Sequence, residues 1–254
     1  MTTRTPTAAA ALKRLREFGD TDDARFLQRF FKTGPGEYGA GDRFLGVRLP
    51  NTRRVAREFR DLQLSEIEVL LHEPWHEARL LAVILLGHAY ERGTPAEKEQ
   101  VFRLYVRNAK RVNNWDLVDA SAAHVVGRHL FDRPRTLLDK LARSKNLWER
   151  RISIIATYHF IRQGQHDDTI RISRLLMRDT HDLIHKATGW MLREMGKRDG
   201  ARLEAFLEAH AHEMPRTMLR YAIERMPAAQ RQRFMDAKRV AAAKPEPGTA
   251  STRR

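Results

Sequence analysis

The 254-residue chain contains no cysteine. That excludes disulfides, thiolate metal sites and cysteine nucleophiles, and nothing points to an oxidising compartment. Long apolar runs are missing too: the longest, Leu80 to Leu86, is far too short to span a bilayer. The opening stretch MTTRTPTAAAALKRL has an alanine run but no apolar segment of signal-peptide character. A soluble, cytoplasmic protein without a membrane partner is expected. Strand-like alternation is nearly absent. Acidic residues are scarce, 32 against 47 lysines and arginines, which leaves a formal charge of +15.

That charge is the first functional hint. The C-terminal stretch AKRVAAAKPEPGTASTRR carries +4 of it, so +11 remains on the rest of the chain. A folded domain this basic suits a polyanionic partner, with nucleic acid the commonest. A solvated, arginine-rich surface would give the same total.

Apolar residues recur at helical spacing almost everywhere. Helix starts are signalled at Thr21-Asp22-Asp23, at Pro50-Asn51, at Ser65 with Glu68 as a capping box, and at Thr94-Pro95 ahead of Glu97. Later starts fall near Asn113, Asn146, Thr180, Pro215 and Pro227. One long irregular, glycine-rich stretch runs from Lys32 to Pro50. Longer helices begin near Pro74, Asn113, Asn146 and His181, at intervals of 39, 33 and 35 residues. This is the period of two-helix solenoid repeats. The expected fold is therefore all-α, a right-handed α-solenoid of HEAT-like repeats with a concave basic groove able to follow a duplex. Residues 1–20 read as an N-terminal extension and first helix, 21–239 as the repeat domain, and 240–254 as a disordered basic tail.

Within LLHEPWHEARLLA the pattern His72-Glu73-Pro74-Trp75-His76 matches the zinc-peptidase signature. That chemistry needs both imidazoles inside one uninterrupted helix, and Pro74 is tolerated only in a first turn. The stretch reads as a junction, with one helix ending at His72 and the next starting at Pro74. No third ligand follows at a recognisable spacing. Neither a metal nor any other cofactor is expected.

A better candidate for chemistry is KRVNNWDLVDASAAHVVGRHL. Asn113 or Asn114 caps a helix there. At about 100° per residue Asp119 shares a stripe with Trp115, Val118, Ala122 and Val126, while Leu117, His124 and Arg128 point away. A carboxylate on an apolar stripe is costly unless paired, hydrated or used. An aspartate early in a helix, favoured by the dipole, would look the same from spacing. NLWERRISII places Arg150 and Arg151 in the opening turns of a later helix. HKATGWMLREMGKRD places Lys186, Trp190, Arg193 and Glu194 on neighbouring helical positions. Basic side chains beside tryptophan in successive repeats suit a groove that tracks a nucleic-acid backbone.

NNWDLVD, NLWERRISII and HKATGWMLREMGK resemble the signatures of the AlkD family, bacterial alkylpurine DNA glycosylases built of HEAT-like repeats. FFKTGPGEYGAGDRFLGVRLPNTRRVAR and MPRTMLRYAIERMP resemble its N-terminal and late regions, so the likeness covers roughly residues 20–228. It implies Asp119 as the catalytic carboxylate, with Trp115 and Trp190 as the active-site tryptophans. It implies Arg151 as the phosphate-contacting arginine, with Arg150 in the alternative register, and Phe30 as a cleft-lining aromatic where close members of the family carry tyrosine. Lys186 and Arg193 would hold further phosphates. The glycine-rich segment Gly34 to Gly41 departs from the type enzyme.

The implied activity is base excision repair: hydrolysis of the N-glycosidic bond of cationic N3- or N7-alkylated purines in duplex DNA. Such a base already leaves well, so the enzyme needs to stabilise an oxocarbenium-like sugar and position a water, which an ionised Asp119 can do. The implied partner is double-stranded DNA containing alkylated purines, bound in the cytoplasmic nucleoid by a monomer with no obligate protein partner. The competing class is a non-catalytic HEAT-repeat protein acting as a nucleic-acid-binding or scaffold module.

Overall fold

A computed structural model of the chain describes residues 5–243, with side chains described to residue 237. Among the described residues there are fourteen α-helices and no strand, only an isolated bridge pairing Arg43 with Trp75. The chain divides into two compact units between Phe160 and Ile161.

The first unit opens with α1 (Ala8–Arg16), α2 (Thr21–Phe30), α3 (Leu49–Glu58) and α4 (Leu64–His72). It continues with α5 (His76–Arg92), α6 (Pro95–Arg107) and α7 (Trp115–Ala122), then α8 (Thr136–Ala142) and α9 (Leu147–Arg162). Helix α5 is its hub. Its sequence HEARLLAVILLGHAYER is largely apolar, and eleven of its residues are buried, as expected of a helix set mostly inside the core. It packs on α3, α4, α6 and α7. Each fully buried leucine there contributes on the order of 2 kcal/mol relative to exposure.

Several starts lie where local chemistry requires them. Asp20 caps α2 by accepting the amides of Asp22 and Asp23, Pro50 sits in the first turn of α3, and Thr94 with Glu97 forms a complete capping box on α6. Ser65 does not cap α4. The helix is already under way at Leu64, its N-cap is Gln63 without a side-chain bond, and Glu68 is drawn instead to Asn108 at 2.8 Å and Arg107 at 3.0 Å.

The glycine-rich stretch between α2 and α3 is ordered by a residue from α5. The carboxylate of Glu77 accepts the backbone amides of Leu45 at 2.9 Å, Gly46 at 2.9 Å and Val47 at 3.1 Å. Gly46 takes φ +80°, and a β-carbon there would overlap the carbonyl of Asp20, so only glycine fits.

Beyond α7 the helix widens into a π-helical stretch, Ala123–Gly127. It ends at Gly127, where a β-carbon would overlap the Ala156 carbonyl of α9. The absent side chain lets the two helices touch backbone to backbone.

The second unit contains α10 (Asp167–Leu176), α11 (Asp182–Gly196), α12 (Gly200–His210), α13 (Arg216–Ala222) and α14 (Ala228–Ala243). Helix α11 is its centre, packed on α10, α12 and α13 through Ile184, Ala187, Met191, Leu192 and Met195, all fully buried. Helix α14 runs to Ala243, so the first residues of the expected tail are helical; the rest lie outside the described residues. Among the described residues no helix is long and apolar enough to cross a membrane.

Candidate active site

The junction at Pro74 separates the two histidines. His72 ends α4 and its Nε2 meets Asn108 Oδ1 at 2.9 Å. His76 opens α5, and its backbone amide donates to the Arg43 carbonyl at 2.7 Å. The His76 side chain is buried between two carboxylates, with Nδ1 2.8 Å from Asp42 Oδ2 and Nε2 2.8 Å from Asp116 Oδ2. Glu77 serves the loop amides described above. Among the described residues no group of three or more His, Asp or Glu side chains is arranged to hold a metal ion.

Both ring nitrogens of His76 face carboxylate oxygens, which requires a hydrogen on each. Burial alone would lower its pKa, but Asp116 and then Asp42 outweigh burial and hold it at about 9. Asp42 is bound further by the Arg79 guanidinium and by Asn114 Nδ2 at 3.2 Å. Burial pushes the Asp42 carboxyl upward, yet His76 and Arg79 together bring it below the usual range.

Helix α7 starts on this network. Asn114 is fully buried, and its side-chain oxygen accepts the Trp115 amide at 2.9 Å. Trp115 stacks on Phe31 at 5.2 Å with 15° between planes and meets Phe30 edge-on at 6.1 Å. Phe31 also packs on His76 at 4.7 Å, and Phe44 stacks on His76 at 4.5 Å. These rings line a cleft of about 680 Å³ in the first unit that also exposes Asp116, Asp119, His88 and Glu91.

Asp119 lies one turn beyond Trp115 on this cleft. It is sunk below the surface, with 18% of its side chain accessible, against 6% for its partner Arg151. The pair is bidentate: Arg151 Nε donates to Oδ1 at 2.9 Å and Nη2 to Oδ2 at 2.8 Å, a charge-assisted geometry that fixes the carboxylate plane. Burial raises the Asp119 pKa, Arg151 opposes that rise and Asp116 adds to it, so the group titrates above its ordinary value.

The first unit thus gathers Phe30, Trp115, Asp119 and Arg151. Phe30 is 53% exposed at the edge of the cleft. Arg150 turns elsewhere, donating to the carbonyls of Ser144 at 3.0 Å and Lys145 at 3.1 Å before α9. Trp190, Lys186 and Arg193 stand on α11 of the second unit. There Trp190 Nε1 donates to Glu194 at 3.2 Å, Lys186 pairs with Asp182 at 2.8 Å, and Arg193 pairs with Glu224.

One orientation differs from the helical projection. His124 faces the same cleft as Asp119, because the chain enters the wider π turn at Ala123 and a residue five positions on falls back towards the same side. Sequence reasoning also missed His76, Asp116, Phe31 and Phe44. The adjacent Phe30-Phe31 pair and Asp116 next to Trp115 were visible signals; the partners of His76 are 34 and 40 residues away.

The fold and site together define an all-α protein with a carboxylate set in an aromatic-walled cleft. A solved structure described as a predicted DNA alkylation repair enzyme from Enterococcus faecalis shares the fold, with a TM-score of 0.66 at 18% identity over 83% of this chain and 97% of that one. No curated protein matches the chain. Residues 11–226 match the family described as DNA alkylation repair enzyme, and the chain belongs to that family. Membership gives it a role in DNA repair.

Proposed function

We propose that the protein is a DNA glycosylase that hydrolyses the N-glycosidic bond of cationic N3- or N7-alkylpurines in duplex DNA. The observation that carries this reading is Asp119. A carboxylate held in both oxygens by a largely buried arginine, open to a cleft walled by Trp115, Phe30 and Phe31, is suited to facing a developing positive charge.

The alkylated base leaves with the electron pair of its bond to C1′ and becomes neutral, so no general acid is needed. Positive charge then spreads over the sugar C1′ and ring oxygen. Asp119 stabilises it and orients the water whose oxygen bonds to C1′, the water proton passing to solvent or to the carboxylate. Trp115 adds cation–π attraction to the sugar. Arg151 keeps Asp119 ionised despite burial, a task its geometry supports more directly than the phosphate contact implied by resemblance. The resemblance gives Trp190 the second tryptophan role, and gives Lys186 and Arg193 phosphate contacts that position DNA without reading sequence.

The test is release of free methylpurine from methylated duplex by purified protein, with and without prior exhaustive chelation. Release that survives chelation and is lost in Asp119→Asn supports the reading. Duplex binding without release would return the protein to the non-catalytic binding class.

A further inference from the structure

The chemistry just proposed leaves unused a histidine buried between two carboxylates. His76 reaches Asp116 on one side and Asp42 on the other, each at 2.8 Å. Arg79 also pairs with Asp42 and donates to Asn113 at 3.1 Å. The network therefore holds two carboxylates and two cations, and it is neutral only while His76 carries its proton. Arg79 and Asn114 would still serve Asp42 if that proton were lost. Asp116, served besides His76 by the backbone amide of Leu117 at 2.9 Å, has no such cation of its own in the network, and a neutral imidazole could give it a hydrogen bond but no counter-charge.

Asp116 and Asp119 are three residues apart on α7, adjacent on one helical face, and both line the cleft. An uncompensated charge on Asp116 would therefore act on Asp119, whose own titration Asp116 already raises. The other ionisable groups facing Asp119 are Arg151 from α9 and Tyr105 from α6. Glu77, His88 and Glu91 of α5, His124 of the π stretch, and Arg48 and Arg53 at the start of α3 line the rest of the cleft.

We propose that His76 is a positioning residue for Asp119: as an imidazolium clamped between Asp42 and Asp116, it cancels the charge of Asp116 and thereby keeps Asp119 ionised. This rests on the glycosylase reading for its consequence in catalysis, though not for the charge coupling itself.

Two readouts test it on the full-length protein. One is single-turnover base release between about pH 5 and about pH 9. The other is titration of the Asp119 carboxyl carbon by ¹³C NMR in DNA-free protein, assigned by its absence in Asp119→Asn. In His76→Gln both the acidic limb and the carboxyl titration should move up by about one pH unit. In Asp116→Asn both should move down, and in the double variant both should return towards wild type. A purely structural role for His76 would lower the rate at every pH without moving the limb, and that result overturns the proposal. So does a double variant as displaced as His76→Gln. If His76→Gln fails to fold, Asp116→Asn decides: no downward movement refutes the coupling. Should wild-type protein release no base while the carboxyl titration moves as stated, the glycosylase reading falls and the coupling stands.

Discussion

Replacing Asp119 by asparagine keeps the shape of the side chain and removes its charge, and two losses follow. The first is kinetic. A preorganised group that faces charge developing in the transition state is commonly worth about a hundred- to a thousandfold in rate, and base release should fall by that factor. The second is structural. Arg151 now loses one of its two charge-assisted bonds, because a carboxamide offers a single acceptor and presents an NH₂ group to the other guanidinium nitrogen. Breaking a fully buried pair costs about 3–5 kcal/mol. With 18% of the Asp119 side chain accessible to water, a loss of about 2–3 kcal/mol is expected, which lowers the melting temperature by roughly 5–10 °C in a chain of this size.

The assay must therefore separate chemistry from unfolding. Single-turnover release of a cationic methylpurine is measured well below the melting temperature of the variant, with circular dichroism and duplex binding recorded on the same preparation. Duplex affinity should be unchanged or slightly tighter, since a negative charge facing phosphates has gone. A folded Asp119→Asn protein that releases base at the wild-type rate would refute the mechanism. A rate loss that tracks the unfolded fraction would refute it equally.

Arg151→Ala should abolish most release at neutral pH by leaving Asp119 buried without its counter-charge, and part of the activity should return as pH rises; a loss equal at all pH values would contradict that. The His76 pKa of about 9 lies above the ordinary 6.5, so its stabilisation is complete below about pH 6.5 and is lost as pH rises through 9. The melting temperature should drop by about 5 °C or more across that window, and the drop should shrink in His76→Gln; equal drops would remove the assignment. Duplex binding resting on about six phosphate contacts should weaken on the order of a thousandfold between 50 and 200 mM salt, and a nearly flat dependence would rule out phosphate-dominated binding.

What could be read from the sequence was local. Pro74 forces a break whatever surrounds it, and α4 does end at His72. Thr94 and Glu97 make their capping box within four residues. Asp119 one turn after Trp115 was visible as a carboxylate on an apolar stripe. What stayed hidden were the partners that make that carboxylate tolerable. Arg151 lies 32 residues on and Asp42 lies 34 before His76, and no spacing rule links positions brought together only by packing. Ser65 and Glu68 failed as a capping box because Glu68 had a better partner in Asn108, 40 residues away. His124 was misplaced because a π turn, a change in helical period, leaves no mark in a pattern of apolar residues.

Gly127 carries a meaning beyond close packing. It ends the stretch that continues α7, the helix bearing Asp119, and it rests on the backbone of α9, the helix bearing Arg151. The spacing of carboxylate and guanidinium is thus gauged eight residues beyond Asp119, by the thickness of a missing methyl group. An alanine there would work as a shim, spreading the two helices and stretching a bidentate pair that tolerates little stretching. The tuning of the carboxylate is accordingly written in two places, and one of them has no side chain to give it away.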